Sequence, residues 1–185
     1  GNADWNAAAP TVTRTFNVTA LAQTISFPAL AGVRFDQAAP ATAATASSGL
    51  AVTYSTASTA CSVTSGGVIT LLGAGTCTID ANQAGNGTYA AAPQVSQSFT
   101  IAKGDQTITF AALADKTLPD SPVTISATAT SGLTVSFASN ALAVCTVSGT
   151  SVTLLTTGVC SITASQAGNA DWNAAVPTVT RTFNV

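Results

Sequence analysis

Residues 61–79 read CSVTSGGVITLLGAGTCTI, from Cys61 to Ile79. Apolar and hydroxyl side chains alternate on both sides of a glycine turn. Cys61 and Val63 share one face, Ser65-Gly66-Gly67 turns the chain, Val68 to Leu72 forms a second run, and Gly75-Thr-Cys-Thr-Ile79 puts Cys77 and Ile79 on one side. Period two around such a turn is the pattern of half-buried strands. Each thiol shares its face with a β-branched apolar residue, which places any bridge between them in an interior. The pattern returns as Val144-Cys-Thr-Val147, Val152 to Leu155, and Gly158-Val-Cys-Ser-Ile162.

Working outward, Gln23-Thr-Ile-Ser-Phe27 and Gln106-Thr-Ile-Thr-Phe110 alternate in the same way. Pro40 to Ala46 and Val123 to Ala129 read as one further strand each, the latter with Val123, Ile125 and Ala127 on one face. Both copies turn at Ser-Gly (Ser48-Gly49 and Ser131-Gly132) and continue into Leu50, Val52, Tyr54 and Leu133, Val135, Phe137. Closing strands run from Val95 to Ile101 and from Val179 to Val185. Seven short strands per copy, dense turn signals and no helical period predict an all-β fold of antiparallel β-sandwiches.

The copies repeat at a fixed spacing. Gln23 to Gln106, Phe16 to Phe99 and Cys77 to Cys160 are each 83 residues apart, whereas Gly1–Val18 and Gly168–Val185 agree at 17 of 18 positions at a spacing of 167. Ala9 against Val176 is the one difference. A looser copy, GNGTYAAAPQVSQSFTI, spans Gly85 to Ile101. A structural unit of about 83 residues inside a longer near-identical period describes an array that alternates two related domain types. The expected organisation is 1–18, the closing strand of a preceding repeat; 19–101, a first domain; and 102–185, a second. The joints Thr19–Ala22 and Ala102–Asp105 are four residues each, so neighbouring domains are expected to touch and the array to be stiff.

Only 6% of the 185 residues are charged and the formal net charge is −2. Five basic residues leave no electrostatic footprint for nucleic acid, and no apolar run reaches the roughly 18 residues of a membrane span. Alanine, threonine, serine and valine make up the difference, and the hydroxyl side chains wet the surface while leaving it nearly neutral, which favours packing against copies of itself. There is no histidine, all seven acids are aspartates, and Asp36, Asp80, Asp115 and Asp120 lack an acidic counterpart in the other unit. No general base is repeated, so no enzyme activity and no cofactor are expected.

The four cysteines fall at equivalent places, Cys61 and Cys77 in one unit, Cys145 and Cys160 in the other. Without histidine or a CxxC spacing, a metal site is not expected. One disulfide within each unit is preferred over free buried thiols, and it places the protein outside the reducing cytosol.

The run from Val63 to Ile79, repeated from Val147 to Ile162, resembles the bacterial immunoglobulin-like (Big-type) tandem repeats of surface adhesins and large exported repeat proteins. The cysteine pair departs from the usual form, which has a small residue there. The resemblance implies tandem seven-stranded Ig-like sandwiches in an extracellular or cell-surface location, serving as spacers, stalks or adhesive segments, with no chemistry attached to the sandwich itself.

Some positions stand out beyond the core. Trp5, Tyr89 and Trp172 occupy one equivalent position. They are read as sealing the domain end or the joint to the next domain, against an exposed stacking platform for a host or surface glycan. Asn2-x-Asp4-x-Asn6 and Asn169-x-Asp171-x-Asn173 have the alternation of a calcium loop but too few carboxylates, and the middle copy loses the acid, so they are read as turn and cap. Lysine–asparagine isopeptide links are rejected because Lys103 and Lys116 have no counterparts. Finally, Val12, Phe16 and Val18 mark Gly1–Val18 as a strand without a sandwich of its own. It is expected to complete a neighbouring one head to tail, by continuation of a longer chain or by donation between subunits. The function expected is a structural tandem array, stalk or filament, with an adhesive or carbohydrate-binding module as the rival.

Overall fold

The computed structural model describes residues 13–185, and over that span the chain is all-β, with the 3-10 turn Leu118–Asp120 as its one helical element. The first half carries β1 (Ile25–Ser26), β2 (Val33–Arg34), β3 (Thr45–Ala46), β4 (Thr53–Ser55), β5 (Cys61–Val63), β6 (Ile69–Leu71), β7 (Gly75–Asn82) and β8 (Val95–Ala102). The second carries β9 (Ile108–Phe110), β10 (Val123–Thr124), β11 (Ala127–Ala129), β12 (Ser136–Ser139), β13 (Cys145–Ser148), β14 (Ser151–Leu154), β15 (Val159–Ser165) and β16 (Val179–Asn184). The described residues hold no helix long and apolar enough to cross a membrane.

In the first half a sheet ordered β2-β8-β7-β4 is accompanied by the pairs β1-β3 and β5-β6; in the second, β12-β15-β16 is accompanied by β10-β14-β13 and β9-β11. The long central strands show why the alternation works. Cys77, Ile79 and Ala81 of β7 are fully buried, as are Cys160, Ile162 and Ala164 of β15, while Thr78, Asp80, Ser161 and Thr163 between them are only half-buried. Each half closes over its own cluster, the first on Phe27, Ile69, Ile79 and Phe99, the second on Phe110, Val152, Ile162 and Phe183, and no residue is shared between them. Each large apolar side chain removed from water contributes about 1.5–3 kcal/mol.

A buried amide organises each half. Gln23, 4% exposed, donates from Nε2 to Gln83 Oε1 (2.8 Å) and to the Ala90 carbonyl (2.6 Å), and accepts from Ser48 Oγ (2.5 Å). Gln106 repeats this with Gln166 (2.7 Å), the Asn173 carbonyl (2.6 Å) and Ser131 (2.5 Å). A buried amide is tolerated because its donors and acceptor are all engaged.

The strand pattern departs from the sequence expectation in four places. Eight strands form in each half where seven are predicted. In the first half the extra one is β2, which runs parallel to β8 with Val33 opposite Ile101, so pairing is not antiparallel throughout. In the second, the expected strand Val123 to Ala129 is split: β10 pairs with β14 and β11 with β9, the chain changing sheets at Ile125-Ser126. Ile125 still points inward, 3% exposed, so the alternation survives while the ladder does not.

The expected strand Pro40 to Ala46 shrinks to β3, because side chains replace ladder partners: Thr42 Oγ1 donates to the Gly67 carbonyl (3.0 Å) and the Ala44 amide donates to Tyr54 Oη (3.0 Å). The strands expected to begin at Leu50 and Leu133 begin at Thr53 and Ser136.

Thr13–Ala20 is exposed and outside any strand, with Phe16 and Val18 both 85% exposed. The places that its two relatives hold are filled, since β8 lies along β7 and β16 along β15. Trp5, Val12, Asn2, Asp4 and Asn6 lie outside the described residues.

Candidate functional site

The thiols pair within each half, Cys61 with Cys77 and Cys145 with Cys160, all four at most 2% exposed. Each bridge joins strands of different sheets, β5 to β7 and β13 to β15, so it staples one layer to the other.

The densest polar and aromatic constellation outside the cores lies at Ala102-Lys103-Gly104-Asp105, where the halves meet. β2 brings Arg34-Phe35-Asp36 there, since the Phe35 amide donates to the Ala102 carbonyl (2.9 Å). From the second half the loop Gly168–Asn173 reaches the same place. Gly168 has φ +78, and an added Cβ would stand 2.3 Å from the Trp172 carbonyl oxygen, so only glycine opens this loop. Asn169 Oδ1 accepts the amides of Asp171 (2.8 Å) and Trp172 (2.9 Å), an Asx turn. This accounts for the Gly-Asn opening that recurs in the sequence, and Gly85-Asn86 folds likewise, with Asn86 Oδ1 accepting the amides of Thr88 and Tyr89.

The loop grips the linker by backbone and side chain together. The Gly104 amide donates to the Asp171 carbonyl (2.9 Å) and the Asn173 amide to the Gly104 carbonyl (2.8 Å). Asp171 Oδ1 accepts the Ala74 amide (2.8 Å), Asn173 Nδ2 donates to Asp105 Oδ1 (2.8 Å), and Lys103 Nζ donates to the Asn169 carbonyl (2.6 Å). The Trp172 ring meets Phe35 edge-on, centroids 5.7 Å apart at 74°, an arrangement worth about 0.5–1.5 kcal/mol beyond burial. Gly104 is required under that ring, because a Cβ there would come within 2.9 Å of it and 3.1 Å of the Asp36 amide.

Arg34 forks onto Asp36 (3.1 Å to each oxygen) and reaches Asp105 Oδ2 at 2.5 Å. These groups are partly solvated, and exposed ion pairs contribute at most about 1 kcal/mol. The aromatic pair and the backbone bonds therefore define the joint, and the charges select its orientation.

The equivalent end of the first half is built the same way from other side chains. Leu21 takes the place of Gly104, with its amide donating to the Thr88 carbonyl (2.8 Å) and its carbonyl accepting the Ala90 amide (2.8 Å). Thr88 and Tyr89 stand where Asp171 and Trp172 stand. Leu118, the counterpart of Phe35, is 41% exposed.

Of the residues singled out in the sequence, Trp172 is at the joint, Tyr89 at the opposite end, and the cysteines in the two cores. Arg34, Phe35 and Gly104 are not singled out by the sequence, and Lys103 enters it only as a rejected isopeptide partner, although the brevity of the linker points at this place. The Gln23 and Gln106 networks were also missed. Their signal is the 83-residue recurrence of Gln23, Ser48 and Gln83 as Gln106, Ser131 and Gln166.

No protein-family model matches the chain, and no curated protein matches it in sequence. Among solved structures it is similar to the N-cadherin fragment EC1-4 of Drosophila (12% identity, TM-score 0.32, covering 88% of this chain and 50% of that one). It is also similar to domains 4 and 5 of the S-layer protein SbsC (14% identity, TM-score 0.32, 88% and 96%). A third match is human mucin-like protocadherin EC1-2 (11% identity, TM-score 0.36, 87% and 97%). The chain thus spans half the length of the N-cadherin fragment.

Proposed function

We propose that the chain is a pair of tandem Ig-like sandwiches, 19–101 and 102–185, from an extracellular array that works as a stalk or filament at a bacterial cell surface, without enzymatic activity. The observation that carries this reading is the joint. A four-residue linker is held on both sides, by Asp171–Asn173 from one unit and Arg34–Asp36 from the other, with Trp172 packed on Phe35. A spacer transmits length only if its joints resist bending, and this joint combines aromatic packing with backbone bonds. Two buried disulfides suit an oxidising compartment, and the bacterial surface location follows the repeat resemblance of Val63–Ile79.

The test is orientational. Residual dipolar couplings of the native chain are expected to fit one alignment tensor for both units, and Trp172→Ala to require two. Independent tumbling in the native chain would sink the stalk reading. Glycan-array binding that disappears in Trp172→Ala with the fold intact would replace it with a carbohydrate-binding module.

A further inference from the structure

Tyr54 and Phe137 hold the same place in the two units, 83 residues apart, on β4 and β12, the outer strands of the long sheets. Alternate residues of such a strand turn their backbone groups outward. The Asn140 amide donates to the Ser161 carbonyl (2.8 Å), so Ala138 and Ser136 face β15, while the amides and carbonyls of Val135 and Phe137 point away from the sheet.

In the first unit that direction is closed. The Tyr54 amide donates to the Ser65 carbonyl (3.2 Å), and Gly67 lies so near the Tyr54 ring that an added Cβ would come within 2.9 Å of it. Thr64–Val68, five residues, separate the paired Val63 and Ile69 there, and a turn of that length reaches β4. In the second unit only Gly149-Thr150 separate Ser148 from Ser151, and the Thr150 carbonyl is taken by the Ile125 amide (2.9 Å). An added Cβ at Gly149 would meet nothing within 4 Å. A cleft of about 370 Å³ opens beside β12, walled by Ala127, Ala129, Leu133, Val135 and Phe137. Among the described residues nothing accepts the Phe137 amide.

An open outer strand is a template for another backbone, and proteins close such strands with charge, proline or a bulge. Ser136-Phe137-Ala138-Ser139 carries neither charge nor proline, and no charged residue lies between Ser121 and Ala170. The other edge of the same sheet is closed, since the Lys116 amide donates to the Asn184 carbonyl (2.9 Å). We infer that β12 is a pairing site for β12 of a second copy. The strand is complementary to itself. With a twofold axis at Ser136, Phe137 of each copy exchanges amide and carbonyl bonds with Val135 of the other, and Ser136 lies opposite its own twin with no charge to repel it. A neutral site offers nothing to select a charged peptide, whereas self-pairing needs no charge. The contact is isologous and closes at two chains running in opposite directions. On the stalk reading, that direction joins arms reaching from facing surfaces; the pairing itself stands without it.

Sedimentation equilibrium of the native chain over a concentration series is expected to approach twice 18.1 kDa. Ser136→Lys, made on an exposed side chain, is expected to stay at one chain, as is Ser136→Glu, and an equimolar mixture of the two to pair again because opposite charges then meet at the axis. Thr53→Lys, the same change at the twin position whose edge Ser65 closes, is expected to pair as the native chain does. Amide exchange reads the backbone directly, with Val135 and Phe137 expected to exchange more slowly in the native chain than in Ser136→Lys. A native chain of 18.1 kDa at every concentration, a Ser136→Lys chain that pairs like the native one, or a mixture that fails to pair would overturn the inference. Pairing that leaves the exchange of those two amides unchanged overturns it as well. None of these variants touches the Trp172–Phe35 contact, so failure here leaves the stalk reading to its own test.

Discussion

Phe16 and Phe183 sit in the same hexapeptide, TRTFNV, yet one is 85% exposed and the other 4%. Thr180–Val185 runs along β15, where Cys160 lies opposite Phe183 and Ile162 opposite Arg181. Thr13–Val18 meets no edge at all. Local propensity is identical in the two, so the strand state is conferred by the partner: β propensity measures fit to a pleated, half-buried surface rather than a preference of the backbone alone. The looser third copy makes the same point. In β8, Phe99 is 4% exposed in a different hexapeptide context, because β7 offers it the same edge.

The contrast is broken most forcefully by truncating the two phenylalanines. Phe183→Ala is expected to cost about 3–5 kcal/mol, and Phe16→Ala less than about 0.5 kcal/mol in the dilute single chain; denaturant unfolding of both variants decides it, and equal losses would erase the distinction.

Reduction comes next. Cys160 lies in the strand that seats Phe183, and each bridge closes a loop of about 15 residues, worth on the order of 3 kcal/mol in the chain-entropy model. Dithiothreitol is expected to lower the thermal midpoint markedly and to speed amide exchange in Thr180–Val185, leaving exchange in Thr13–Val18 as fast as before. An unchanged midpoint would deny the bridges their role.

A smaller matched pair is Arg181→Ala, expected to cost about 1 kcal/mol through the lost bond to the Phe110 carbonyl, against Arg14→Ala, expected to cost nothing measurable.

The smallest effect is acid loosening. The Asn184 amide, followed by its side chain, donates to Asp115 and holds that carboxyl below its ordinary value of 3.8. A depressed folded value means stability present above the ordinary value and lost as pH falls below it. The thermal midpoint of the native chain is expected to decline below roughly pH 4, and Asp115→Asn to flatten part of that decline. Asp120 is lowered likewise, by the Thr117 amide and hydroxyl, and acts with the same sign.

Much of the fold is legible in the sequence because the signals are local. The inward alternation of Cys77 and Ile79, the Ser-Gly turns and the Gly-Asn loop openings each depend on residues within a few positions of one another. The joint was harder to read. Arg34 reaches Asp105 across 71 residues and Gln106 reaches Asn173 across 67, and no periodicity announces such partners. The recurrence of Gln23, Ser48 and Gln83 was visible, but in a chain of repeats every feature recurs, so recurrence alone does not separate a buried network from surface decoration.

By itself, then, the sequence determined the all-β character, the spacing of the units and the faces on which the thiols lie, since alternation and repetition are properties of neighbouring residues. Tertiary structure alone decided that Val123–Ala129 changes sheets, that β2 runs parallel to β8, that Trp172 packs on Phe35, and which of two identical hexapeptides becomes a strand. Each of those outcomes depends on which edge or face is free to be covered, and that is a property of the assembled surface.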